Sequence, residues 1–455
     1  MKTKNLIILF AVVVAVAAYI FLFERHRPTT DEAKADAEKV LKNFDIEQVQ
    51  EIIVEDSSSS VRLEKTGDAW RLREPIDYPA SESAVSTALG SLADLEADRR
   101  LPLSEVDPSE YGLDPPAVSI SLRFADDSER MLSIGGELPL GSNRAVRVDG
   151  ADEIAVTAGW FVSDLQRSVD DWRSRNVVDV MADDVASIDI RTDEDVIRAV
   201  RDGDRWQLLE PLEDVADADH LTSLVSDLNS LQIEEFIDDP GDLDEIGMVT
   251  PEYELTVVRS DGAGPLRLLL GATREVDGAA QVACRRGEDD YFWVADGVRK
   301  RLSKAPVLWR SKKVAPFDTW NAASLEISAS GDSVTLGYDD MVWTLDDGIE
   351  ADMTAVQDRL RALADLEASD YDLMQPLTAE MGAVTVGFRA DEDEGAPEAL
   401  SFRFFSPLSE GGKAMVQVSN RSTLMSVDTA TVESNVGNLE ALRPPPVAEE
   451  PETDE

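Results

Sequence analysis

Thiol and imidazole are almost missing from this chain. Its 455 residues include one cysteine, Cys284, and two histidines, His26 and His220. One thiol excludes an intrachain disulfide and any thiolate-rich metal site. Two histidines exclude a multi-histidine zinc or iron centre. Positive charge is scarce too: 43 Lys and Arg stand against 92 Asp and Glu, a net charge of −49. Phosphate recognition needs a basic footprint, so the composition argues against nucleic-acid binding. Aromatic residues make up only 6%. The apolar fraction, 43%, is nevertheless enough for packed cores, and the length suggests several domains.

Nucleotide chemistry is equally poorly served. Gly411-Gly412-Lys413 comes nearest to a phosphate loop, but Pro407 stands where a glycine is needed and Ala414 where Ser or Thr would ligate magnesium. Asp391-Glu392-Asp393-Glu394-Gly395 has the acidity of a calcium loop without its glycine at the sixth position, and reads as a solvated acidic loop. The sequence therefore offers no metal site, no cofactor and no catalytic residue that can be singled out.

What is present begins with an uninterrupted apolar run over 6–23, opened by Leu6 and closed by Phe23. As a helix it would be about 27 Å long, close to the hydrocarbon thickness of a bilayer. Cleavage as a signal peptide at Ala15-Val16-Ala17 is the competing reading. Against it, the run continues through Tyr19-Ile20-Phe21-Leu22-Phe23 to a charged stop at Glu24-Arg25-His26-Arg27. The expectation is an uncleaved single-pass anchor in the bacterial inner membrane, with the bulk of the chain extracytoplasmic.

The remainder repeats. Trp70, Trp206 and Trp343 lie 136 and 137 residues apart in similar frames, Gly67-Asp68-Ala69-Trp70-Arg71-Leu72 and Gly203-Asp204-Arg205-Trp206-Gln207-Leu208 being the closest pair. After each comes a small residue and a helix cap: Ala80-Ser81, Ala216-Asp217 and Ala351-Asp352. Apolar residues then recur at helical spacing, as in Val85, Leu89 and Leu92, Leu221, Val225 and Leu228, and Val356, Leu360 and Leu363. Strand-like alternation precedes each tryptophan and follows each helix. A second helix carrying Phe161, Leu165 and Trp172, matched by Val298, Leu302 and Trp309, closes the first two copies. It leads into Trp172-Arg173-Ser174-Arg175 and Trp309-Arg310-Ser311-Lys312, and the third copy lacks this exit.

The expected architecture is thus α+β: a transmembrane helix followed by three tandem strand-rich α+β repeats of about 137 residues. Anchor and stalk take 1–44, the repeats 45–181, 182–318 and 319–443 (the last degenerate), and a disordered acidic tail 444–455.

The tryptophan frame, the capped helix, the turn Tyr111-Gly112-Leu113-Asp114-Pro115-Pro116 and the strand ending Leu132-Ser133-Ile134-Gly135 recur in one order. This order resembles an uncharacterised bacterial family of single-anchor proteins encoded beside gliding-motility-type ABC transporter components. The turn weakens to Ile246-Gly247-Met248 and then to Met381-Gly382. The family has no established active site, so the resemblance implies ABC transporter subunits as partners and no chemistry.

Among single residues, His220 reads as a surface position and Cys284 as strand packing; the three tryptophans read as core anchors. One charge feature stands apart, a basic island holding Arg299, Lys300, Arg301, Lys304, Arg310, Lys312 and Lys313 with no acid between Val298 and Lys313. Two readings compete: an internal clamp between repeats, or a docking site for an acidic partner or lipid head group. The candidate contact residues are Trp172, Arg173, Arg175, Arg299, Arg301, Trp309, Arg310 and Lys312, and the clamp is favoured because the motif occurs at two junctions. The function expected is a non-enzymatic, membrane-anchored accessory or scaffold protein of the envelope. The alternatives are a carboxylate-dependent hydrolase of envelope glycan, or a glycan- or cation-binding module.

Overall fold

Alternating side chains decide the first sheet. In β1 (Val49–Asp56), Val49, Ile52 and Val54 turn inward. β2 (Ser60–Thr66) and β3 (Ala69–Glu74) add Val61, Leu63, Trp70 and Leu72, all buried. The structure is a computed structural model that describes residues 37–139, 141–203, 205–371, 377–389, 398–407 and 412–444. The sheet is completed by β4 (Tyr78–Pro79), β5 (Arg99–Pro102), β6 (Val118–Phe124), β7 (Glu129–Glu137), β8 (Asn143–Val148) and β9 (Glu153–Ala158). Its nine strands run in the order β4-β3-β2-β1-β6-β7-β8-β9-β5.

Helix α1 (Glu82–Ala93) explains that order, because it carries the chain from one edge of the sheet to the other before β5. Ser81 caps it by accepting from the Ala84 amide at 3.3 Å. Val85, Ala88, Leu89 and Leu92 then join the core over the inward face of the sheet. Two short helices, α2 (Val162–Leu165) and α3 (Val169–Trp172), end the repeat and bury Phe161, Leu165 and Trp172 in the same core.

The chain up to Arg175 forms one compact body, and a second begins at Asn176. The second body contains two further sheets. One uses β10 (Val185–Arg191), β11 (Val196–Asp202), β12 (Arg205–Glu210), β13 (Asp214–Val215), β14 (Ile233–Ile237), β15 (Tyr253–Arg259), β16 (Leu266–Val276), β17 (Ala279–Arg286) and β18 (Asp290–Ala295). Its order, β13-β12-β11-β10-β15-β16-β17-β18-β14, reproduces the first sheet strand for strand. Helices α4 (Ala218–Ser230) and α5 (Gly297–Leu302) take the places of α1 and α2.

The third sheet has eight strands: β19 (Ala322–Ala329), β20 (Asp332–Asp339), β21 (Val342–Leu345), β22 (Asp370–Tyr371), β23 (Glu380–Phe388), β24 (Leu400–Phe405), β25 (Ala414–Val418) and β26 (Met425–Val427). The order β21-β20-β19-β23-β24-β25-β26-β22 is the same topology without a counterpart of β4. Helices α6 (Met353–Ala364) and α7 (Thr429–Val436) belong to it. Asp217 and Asp352 cap α4 and α6 as Ser81 caps α1, each accepting at 3.0 Å. The protein is therefore mostly β with some helices, in three antiparallel sheets consistent with three strand-rich repeats. Register makes the likeness concrete. Ile52 pairs with Leu63 and Leu122, Ile188 with Ala199 and Val257, and Leu325 with Leu336 and Val386.

The tyrosine-glycine turn gains a physical reason here. Gly112 has φ +67°, and a Cβ on Gly135 would lie 2.1 Å from the Tyr111 carbonyl oxygen. In the second repeat Gly247 has φ +69°, and a Cβ on Gly271 would lie 2.3 Å from the Ile246 oxygen. Backbone meets backbone where β7 and β16 are bulged. Each turn closes a small second core on the outward face, with Leu101, Leu113, Ala145 and Ile154 in one and Met248, Leu269, Ala283 and Trp293 in the other.

Several expectations need correction. Residues before 45 are not all stalk: Val40 and Leu41 are buried in the first core, and the Val40 amide donates to the Leu95 carbonyl at 2.8 Å. Val177 and Val314 do the same to Leu231 and Leu366, so each repeat starts several residues earlier than strand alternation suggests. A single bridge has no period to read. The third copy does possess a closing helix, α7, followed by buried Leu442. The Leu442 carbonyl accepts from the amide of Asp352 at 2.9 Å, as those of Trp172 and Trp309 accept from Ser81 and Asp217. Met381-Gly382 is not the turn: Gly382 lies in β23 opposite Ala329, where Val118 lies opposite Asp56 in the first sheet. The apolar run over 6–23, the acidic stretch 391–395 and the tail from 445 lie outside the described residues. Among the described residues no helix is long and apolar enough to cross a membrane.

Candidate functional site

Of the basic island, Arg310 in the exit motif reaches the joint between the second and third repeats, inside the second body. The short strand β13 fixes Asp214 with its carboxylate fully buried. Arg310 follows Trp309 out of the closing segment, forms a bridge to Ala216, and donates through Nε to Asp214 Oδ2 at 2.6 Å. From the third repeat, the hairpin turn between β25 and β26 sends Arg421 to Asp214 Oδ1 at 2.7 Å, and Thr423 Oγ1 to Oδ2 at 3.1 Å. One carboxylate thus joins guanidinium groups from two repeats.

Two guanidinium charges against one carboxylate leave a surplus, which the surroundings absorb. Arg421 Nη1 donates to the carbonyls of Lys313 at 2.7 Å and Val314 at 3.2 Å. Arg310 stacks on the ring of Tyr371, 4.1 Å from guanidinium carbon to centroid, and the Tyr371 hydroxyl donates to the Ser311 carbonyl at 2.6 Å. Burial alone would raise the Asp214 pKa. The Arg421 hydrogen bond and the charges of Arg421 and Arg310 outweigh burial and hold the carboxyl below its ordinary value. Burial raises the Tyr371 hydroxyl above its ordinary value.

A shared device lies underneath. In each repeat a guanidinium holds the carbonyls of the lead-in segment: Arg100 donates to Lys39 O at 2.9 Å, Arg286 to Asn176 O at 2.9 Å, and Arg421 to Lys313 O at 2.7 Å. In the first repeat Arg100 pairs with that repeat's own Glu153 at 2.5 Å. Arg421 takes a carboxylate from the preceding repeat, Asp214.

The remaining expected contact residues divide. Trp172 is fully buried, and Arg173 stacks over Tyr78 at 4.4 Å and pairs with Asp170 at 3.1 Å, all within the first body. Arg175 is half-buried at its end. Arg299 pairs with Asp296 at 2.6 Å and Glu252 at 3.4 Å, and Arg301 pairs with Asp227. Both pairs stay inside the second repeat, so neither arginine clamps it to the third. The Lys312 side chain is exposed; its contribution is a carbonyl that accepts from the Ala368 amide at 2.7 Å.

His220 is not a surface residue. It is buried, its ring edge-on to Trp309 with centroids 4.6 Å apart, and its Nδ1 lies 2.7 Å from Lys304 Nζ. An ammonium can only donate, so the imidazole proton sits on Nε2. Burial and then the Lys304 charge lower the His220 pKa. Cys284 is packed within β17, and burial pushes its thiol up to about 12. Trp70, Trp206 and Trp343 are all buried. Among the described residues no group of three or more His, Cys, Asp or Glu is arranged to hold a metal ion.

Asp214, Tyr371, Arg421 and Thr423 were not singled out by the sequence. One signal did exist, since Asp214 occupies the position of Tyr78 in the first repeat: β4 and β13 pair alike with β3 and β12. An acid replacing a buried tyrosine asks for a cation.

A family model described as a domain of unknown function, DUF4340, matches residues 70–251 and again 206–383, together more than half of the chain. The two matches overlap and each begins at a repeated tryptophan. No curated protein matches the chain.

Proposed function

We propose that this chain, which belongs to the DUF4340 family, is a non-enzymatic accessory or scaffold protein of the bacterial envelope. It is held in the inner membrane by residues 6–23, with its repeats extracytoplasmic, and its partner is an ABC transporter. The observation that carries the scaffold reading is the Asp214 joint. Its most deeply buried charges are committed to holding two repeats in a fixed relation, which suits a protein that presents surfaces rather than one that turns over substrate. The anchor rests on the length and charged stop of the apolar run, and the transporter on the motif order from Trp70 to Gly135.

The test is a pull-down of the full chain from crosslinked bacterial membranes, after carbonate extraction. Retention in the membrane pellet together with transporter subunits is expected. Release into the soluble fraction overturns the anchor, and retention without transporter subunits overturns the partner.

A further inference from the structure

In the third repeat several departures from the other two gather around one cavity. In the third repeat the turn before β19, the hairpin β20–β21, helix α6 and the end of β23 enclose a cavity of about 360 Å³, within the range of small-molecule sites. Trp320, Tyr338, Trp343, Gln357, Arg361 and Arg389 supply its chemistry. Trp343 is the buried floor, with Tyr338 5.1 Å away between centroids. Trp320 stands at the rim, 71% exposed. The Arg389 guanidinium stacks on Tyr338 at 4.6 Å. Gln357 and Arg361 are one helical turn apart on α6, and so share a face.

Register identifies the same positions elsewhere. Tyr338 faces Trp343 as Arg201 faces Trp206 and Lys65 faces Trp70. The turns that hold Trp320, Asp183 and Glu47 close with the same hydrogen bond, from Asn321, Asp184 and Gln48. Arg389, Ser260 and Ala125 each donate an amide to the carbonyl of that last turn residue. Counted from the helix caps, Arg361 matches Ser226 and Gly90. In the second repeat Arg201 spans this space, donating to the carbonyls of Ala182 at 3.2 Å and Asp183 at 2.8 Å. In the third repeat aromatic rings and two arginines replace these smaller or self-paired residues together. A core role explains none of the exposed members.

We propose that this cavity binds an acidic saccharide, its ring stacked on Trp320 and Tyr338 and its carboxylate held by Arg361 and Arg389. Flat aromatic faces suit the C–H face of a sugar ring. Guanidinium forks donate without accepting and match a carboxylate. Among the described residues Arg361 has an exposed pair with Asp358 to give up, at 3.1 Å. Among the described residues no carboxylate pairs with Arg389. The site stands independently of the scaffold reading and would give it a glycan contact.

The test is titration of the full chain in detergent with trigalacturonate and with its neutral methyl ester, read by tryptophan emission and calorimetry. Saturable binding that favours the free acid is expected. Trp320→Ala should weaken it by roughly tenfold or more, and Arg389→Met should remove the preference for the acid over the ester. Both positions are exposed, so an unchanged melting temperature shows that folding is intact. No saturable binding at millimolar concentration, or unaltered binding by Trp320→Ala, overturns the site. Equal binding of acid and ester by the unmodified chain overturns the acidic class.

Discussion

A buried carboxylate is worth most where its partners cannot find water. Removing Asp214 would leave Arg310 and Arg421 facing each other across an emptied joint. Asp214→Ala should therefore cost about 3–5 kcal/mol, measured by chemical denaturation. The pH dependence follows from the lowered pKa of Asp214. Its contribution is complete above the unfolded value of about 3.9 and disappears as pH falls through the lower native value. The stability gap between the native chain and Asp214→Asn should stay flat from about pH 5 to 8 and close only in stronger acid. His220 acts over a different window. Its native pKa is lowered from 6.5, so the unfolded chain takes up the proton first. Stability associated with His220 is full above that value and declines as pH falls below it. His220→Gln should flatten the slope between about pH 7.5 and 5.5; an unchanged slope would show that another group titrates.

Elements show which constraints can be read locally. The caps Ser81, Asp217 and Asp352 and the stripes behind them were legible because a helix announces itself within one short window. The third closing helix was not, because Thr429–Val436 is followed by a plain Leu442-Arg443 where the earlier copies carry tryptophan and arginine. The joint was half legible. Arg310 was visible in a repeated motif, but Arg421 sits in a hairpin turn with nothing repeated about it, and arginines near Arg310 were given a role that belongs to distant residues. The tyrosine-glycine turn gives the sharpest test at this scale. Gly135→Ala should destabilise the chain by about 1–3 kcal/mol because its Cβ would strike the Tyr111 carbonyl. Gly136→Ala, next along the strand with nothing within 4 Å of its Cβ, should change stability by less than about 0.5 kcal/mol. Equal effects in thermal melts would remove the backbone-contact explanation of the motif.

For the molecule as a whole, net charge sets the condition under which these contacts operate. At −49 the folded chain repels itself, while its exposed ion pairs contribute little each. Added salt should then stabilise it, with the melting temperature rising between about 0.05 and 1 M NaCl as screening shortens the range of repulsion. A falling melting temperature would mean that attractive pairs dominate. The repeat period and the three sheets were legible because duplication writes the same core three times. How the second and third repeats join was not, because that depends on one carboxylate and its partner far along the chain.

That distance bears on the order of events at birth. Asp214 and Arg421 are 207 residues apart. A ribosome adding about 5–20 residues per second would need roughly 10–40 s between them. Until Arg310 is made, the newborn second repeat carries an acidic strand edge with neither counterion, and from there to residue 421 it has one of its two guanidinium partners. Within every sheet the same delay appears on a smaller scale, since β5, β14 and β22 must wait for β9, β18 and β26. The chain is thus built to be finished from its far end, and a ribosome that stalls before codon 421 would release a repeat with its seam still open.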